Sequence, residues 1–147
     1  MSTMRSLVKS AEVFHGHMGP FLILGLRMGL MARRRLKPRA IHDMTVLVWT
    51  PPMPPQSCIL DGIQVASGCT LGKGNIRMRN SRVIKAIFRK GGVFVEIEPS
   101  EMVKRIVADV SIAASEMELR ETARLLASLP DRQLLTVKVS RSSRPKK

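Results

Sequence analysis

The chain has no tyrosine, one tryptophan and four phenylalanines, so aromatics make up only 3% of its 147 residues. Its core must therefore be aliphatic, with ten methionines to fill irregular gaps. Base stacking on aromatic platforms is correspondingly undersupplied. Cysteine is as scarce: Cys58 and Cys69 exclude a disulfide scaffold, and two thiols with three histidines fit an intracellular chain. Long apolar runs are missing too. The most apolar stretch, Phe21 to Ala32, is too short to span a bilayer and carries Arg27 in its middle. Neither the run nor the small-residue cleavage site of a signal peptide occurs, so the expectation is a cytoplasmic protein starting at or near Met1, with no membrane partner.

Acidic residues are the last shortage, at 11 against 25 Lys plus Arg, for a net charge of +14. The imbalance is local. Residues 1–95 carry 15 basic residues but only Glu12, Asp43 and Asp61, whereas residues 96–137 are net acidic. Lys/Arg clusters gain affinity for nucleic acid by releasing counterions, but a solvated basic surface explains the same charge. What is present in ordinary amounts, 44% hydrophobic and 24% charged residues, describes a globular domain. A single domain over residues 1–140 and a disordered basic tail over residues 141–147 are expected.

Periodicity predicts a helix over residues 3–14, with Leu7, Ala11 and Phe14 on one face, broken by His15-Gly16-His17-Met18-Gly19. Pro20 suits the first turn of a second helix that runs to Leu36, with a Leu24, Met28 and Met31 stripe. Thr45–Thr50 is a β-branched run predicted as a buried strand, and Pro51–Gln56 a stiff extended loop. Ser57 is the expected N-cap of a helix over 58–67 closed by Gly68. Strands are predicted at 76–79, 83–90 and 93–98, the last two joined by Gly91-Gly92. Ser100 should cap a helix through Ala114, Ser115 with Glu118 a further one, and Leu134–Val139 forms the final strand. This order argues for an α+β single domain, a mainly antiparallel sheet packed with helices.

Three constellations could carry chemistry. His15 and His17, two apart in extended backbone, would aim both imidazoles at one point; two ordinary loop histidines fit as well. On a helix, Cys58, Asp61 and Gln64 share one face and Ile59, Ile63 and Ala66 the other. Cys58 at the first turn would have its thiolate favoured by the helix dipole, suiting a metal ligand or a reactive thiol. A small buried cysteine beside a solvated carboxylate is the plainer alternative. The third stretch, Ser67 to Asn75, fails as a phosphate-binding loop. Three residues separate Gly68 from Gly72 where four are needed, and Gly74 stands where Ser or Thr should hold magnesium. Lys73 could still meet an anion.

HGHMGPFLILGLRMG (residues 15–29) and CILDGIQVASGCTLGKGN (residues 58–75) together resemble the formylmethanofuran dehydrogenase E-subunit family, over about a quarter of the chain. The resemblance implies an archaeal-type α+β core domain whose metal ligands fall at His15, His17, Cys58 and Cys69. Asp61, Gln64, Thr70 and Lys73 match the surrounding motif and are the implied cofactor-binding residues. The family's next cysteine is Gly19 in this chain, so one soft ligand is replaced. No counterpart of the cysteine-rich extension of many members is found, and no electron-transfer role is expected. Zinc or a similar divalent metal is the implied cofactor. A small-molecule ligand, a homodimer through the Met-rich helix and a dehydrogenase-type complex are the implied partners. The competing reading is a degenerate member without metal, serving as a basic anion- or nucleic-acid-binding or assembly module. A third, an enzyme using Cys58 as nucleophile with His15 or His17 as base, rests on residue type alone. Catalysis is left open.

Overall fold

Phe21 to Met28 is apolar on every side of a helix except at Arg27, and a helix apolar all round belongs inside a fold. The computed structural model, which describes residues 3–110 and 113–143, places it there. Helix α2 (Pro20–Leu36) starts with Pro20 in the first turn and buries 13 of its 17 residues. Around it lie α1 (Met4–His15), α3 (Ile59–Ser67) and α5 (Glu116–Ser128). The strands are β1 (Thr45–Thr50), β2 (Ile76–Asn80), β3 (Lys85–Lys90), β4 (Val93–Pro99) and β5 (Leu135–Arg141), with the short helices α4 (Glu101–Ala108) and α6 (Asp131–Leu134) between the last two.

The strands form one sheet in the order β2-β1-β3-β4-β5. Three of its four pairings are antiparallel; β1 and β2 run parallel, with α3 as their crossover. The expected α+β domain is thus present, with one parallel pair at its edge. Val46, Val48, Ala86, Phe88, Val95 and Ile97 face the helices and are buried with Leu22, Leu26 and Ile63 in a single core.

Several local expectations change. The β1 strand is buried on one face only, because among the described residues nothing covers the other side of the sheet. Phe14 is 59% exposed, since α1 meets its neighbours through Ala11. Pro51–Gln56 bends rather than extends, and Ser57 is no N-cap: Gln56–Cys58 form one 3₁₀ turn that runs into α3 without a side-chain cap. The predicted helix from Ser100 ends at Ala108, and residues 111–112 lie outside the described residues. At the C-terminal end β5 continues through Arg141, and the Ser142 amide donates to Gly92; of the expected basic tail, residues 144–147 lie outside the described residues. Met28 and Met31 of the Met-rich stripe are buried in the core of the chain.

Helices α2 and α3 touch backbone to backbone. A Cβ on Gly62 would stand 2.1 Å from the Leu22 carbonyl oxygen, and one on Gly25 2.1 Å from that of Ile59. No side chain fits, and glycine supplies the missing volume. Arg27 is the other unusual feature of the interface. Its guanidinium donates to the carbonyls of Leu126, Ala127 and Leu129 and to Asp131 Oδ1, so α2 caps the C-terminal end of α5 from inside the protein. Asp131 also accepts from Arg34 at 2.7 Å. Burial pushes the Asp131 carboxyl up, but the Arg27 hydrogen bond and the charges of Arg34 and Arg27 outweigh it and hold it below its usual value.

This interior can be tested at both of its unusual points. Gly62→Ala should lower the urea midpoint, with a loss of stability greater than the roughly 1–3 kcal/mol of ordinary overpacking, because the obstacle is backbone. Gly72→Ala, with open space around its Cβ, should leave it unchanged, and equal midpoints for the two variants would refute the close crossing. For Asp131, a depressed folded-state value means its stabilisation is full above the unfolded-state value and is lost as pH falls through the folded one. Urea midpoints taken between about pH 5 and pH 2 should therefore fall less steeply for Asp131→Asn than for wild type.

Candidate metal and anion sites at the two ends of helix α3

Asp61 lies in the first turn of α3, held outward because Ile59, Ile63 and Ala66 bury the opposite face. His15 is the last residue of α1, where Gly16 at φ 101° ends the helix and turns the chain. The two meet: His15 Nδ1 and Asp61 Oδ2 are 2.5 Å apart. A carboxylate accepts, so Nδ1 carries the proton, and in the neutral imidazole Nε2 keeps its lone pair. That Nε2 is buried and has no hydrogen-bond partner, the one such side-chain atom among the described residues. His17 lies beside it, ring centroids 4.6 Å apart, with its Nδ1 donating to the Met18 carbonyl. The two rings thus stand side by side, brought there by a helix end and a left-handed glycine and not by extended backbone.

Cys58 is half-buried at the start of α3, one turn before Asp61. Burial first and the Asp61 charge second push its thiol above the ordinary value. Desolvation and the neighbouring carboxylate thus act against the thiolate that the helix end was expected to favour. Cys69 is not with the histidines at all. It follows the far end of α3, about 14 Å away by helical rise, and its buried thiol donates to the Met44 carbonyl. Among the described residues no three His, Cys, Asp or Glu side chains stand together as a metal cage. The four-ligand set implied by the resemblance is thus split between the two ends of one helix.

The far end has its own geometry. Thr70 donates its amide to Asn75 and accepts from the Lys73 amide, while Gln64 Oε1 accepts from the Leu71 amide. Gln64 and Thr70 therefore pin the 69–75 loop. Lys73, Arg33 and Arg39 line a cavity of about 220 Å³ above Cys69, with no acidic residue in its wall. Burial pushes the Cys69 thiol up as well, offset in part by Ser67 and by the charges of Lys73 and Arg33. Sequence reasoning had Lys73 and Cys69; Arg33 and Arg39 were missed because they lie far from the 69–75 loop in sequence and no local spacing joins them to it. The His15–Asp61 pair was missed because 46 positions separate the two, and no local spacing signals it.

Gly19 also has a readable environment. Its φ of −154° is open to any residue, and a Cβ there would rest 3.6 Å from His17 Cε1, an ordinary contact. The backbone thus keeps room for the side chain it lacks.

The profile of a family described as FmdE, of the molybdenum formylmethanofuran dehydrogenase operon, matches residues 14–136. A curated relative from Archaeoglobus fulgidus (strain ATCC 49558), named "Probable S-adenosyl-L-methionine-binding protein", is 35% identical over 81 residues. Those residues are 51% of this chain and 21% of that protein, so the chain spans about a fifth of the relative's length.

The tautomer is directly testable. Long-range ¹H–¹⁵N spectra of the deprotonated imidazole should show His15 protonated at Nδ1, and Asp61→Ala should return it to the commoner Nε2–H form. A wild-type Nε2–H signal would rule out the Asp61 pairing.

Proposed function

The chain belongs to the FmdE family, and from that membership we propose that it is a metal-binding FmdE-type protein whose ion sits at the His15 end of α3. One observation carries the reading, the buried and unpartnered Nε2 of His15. Leaving a buried polar atom without a partner costs free energy, and such atoms are rare unless something occupies them. A carboxylate on the other ring nitrogen is the arrangement that orients metal-ligating histidines and raises their basicity. Asp61 fills that role, as a positioning residue and not a ligand.

The donors present fit a divalent ion in kind. His15 is the first ligand and His17 the second, with Cys58 as the soft third; two imidazoles and one thiolate form a set suited to zinc. With Gly19 in place of a further thiolate, the set is open rather than closed, and the ion when bound supplies a Lewis-acidic position there. This chain's own residues do the remaining work. Asp61 holds the His15 proton on Nδ1, and exposed His17 leaves the site reachable by a small molecule. Cys69 belongs to the cavity at the other end of the helix, where Lys73 with Arg33 and Arg39 favours an anionic group.

Metal content measures this. After zinc loading and dialysis, wild type should retain roughly one ion per chain, His15→Ala none, and Asp61→Ala should bind about 10–100-fold more weakly. Gly19→Cys should bind more tightly than wild type, because a side chain starts there in ordinary contact with the His17 ring and adds a soft donor beside it. If both wild type and Gly19→Cys emerge metal-free, the reading fails.

A further inference from the structure

The helices cover one face of the sheet, and among the described residues nothing covers the other. Its floor is apolar and half-exposed: Leu47 and Trp49 of β1, Ile87 of β3 and Phe94 of β4. Arg77 and Arg79 from the edge strand β2 and Arg89 from β3 stand along it, and together these residues line an open groove of about 540 Å³ with no acidic side chain. The ladder fixes their spacing: Trp49 is paired with Arg79, Leu47 with both Arg77 and Ile87, and Arg89 with Phe94. This face holds the only tryptophan of a chain poor in aromatics.

The rings already attract cations. Lys85 Nζ lies 4.8 Å from the Trp49 ring centre, and the Arg89 guanidinium 5.4 Å from that of Phe94. Lys85 is also paired with Glu96 at 3.2 Å, and Arg89 donates to the Gly91 carbonyl. Arg77 and Arg79 are exposed, and among the described residues neither guanidinium has a hydrogen bond or an ion pair.

We propose that this bare sheet face binds single-stranded nucleic acid, with Arg77, Arg79 and Arg89 holding phosphates and Trp49 and Phe94 stacking against unpaired bases. Three arginines along a groove lined by no acidic side chain favour an anionic partner, since Glu96, beside Ile87 on the same face, is already paired with Lys85. The same charge opposes a second copy, because apposing two such faces would bring like charges together. A partner that offers only charge would leave the apolar floor unmet, whereas unpaired bases bring flat rings at the spacing of a strand backbone. Duplex hides those faces. The proposal is independent of the metal reading, since His15 and His17 belong to the helical side of the sheet.

Trp49, as the sole tryptophan, reports on its own site. The full chain should be titrated with a twelve-residue oligothymidylate and the matching oligouridylate at low salt, with EDTA present so that metal plays no part. Quenching of Trp49 fluorescence is expected, with log affinity falling against log salt by about 0.7 per phosphate neutralised, near −2 for three arginines. Arg77→Ala/Arg79→Ala, on the exposed edge, should keep the wild-type circular dichroism and bind at least tenfold more weakly. Duplex of the same length or polyglutamate binding as tightly, without quenching, would reduce the face to a general polyanion patch and overturn the proposal. Sedimentation showing a dimer that shields Trp49 and excludes the oligonucleotide would overturn it as well.

Discussion

The crossing of α2 and α3 at Gly25 and Gly62 is the contact on which the other features rest. Two backbones meet where any side chain would collide with a carbonyl oxygen. Because α3 is held that close, its outward face has one permitted orientation, and Asp61 reaches His15 at the end of α1. The same helix is the crossover between β1 and β2, so its position also sets the parallel edge of the sheet. A helix interface that could slide would leave neither the histidine pair nor the edge strand in place.

Buried charge does the complementary work at the other side of α2. Arg27 places a guanidinium inside an apolar helix surface, which is costly unless its donors are satisfied. Four acceptors, three of them the last carbonyls of α5, satisfy it and in turn are satisfied. One residue thereby joins a helix from the start of the chain to one nearly a hundred positions later. The acidic stretch after residue 95 has a structural use in this light, since Asp131 meets Arg27 and Arg34 of α2, and in the reverse direction Glu12 of α1 meets Arg120 of α5.

Helix α3 separates two chemistries. At its start are imidazoles, a carboxylate and a half-buried thiol; past its end are a lysine, two arginines and a second thiol bonded to a backbone carbonyl. The motif written as one run of sequence is therefore read by the fold as two places. Helical rise accounts for this, because residues eleven apart across a helix cannot meet at one ion.

The elements themselves were legible. Pro20, Gly68, the Gly91-Gly92 turn and the Ser100 and Ser115 caps mark boundaries through local backbone chemistry, and the strands and helices lie close to where those residues put them. The alternation of α3 was legible too, with Ile59, Ile63 and Ala66 inward. Sequence by itself thus determined the α+β composition, the family motif and the residue types of the site, because caps, turns and periodicity act over a few residues. Only the tertiary structure decided that Asp61 serves His15, that Cys69 stands apart, that Arg27 is a cap and that Trp49 shares a bare face with arginines. Each of those depends on contacts between residues many positions apart, and no local spacing encodes which distant backbone a helix will touch.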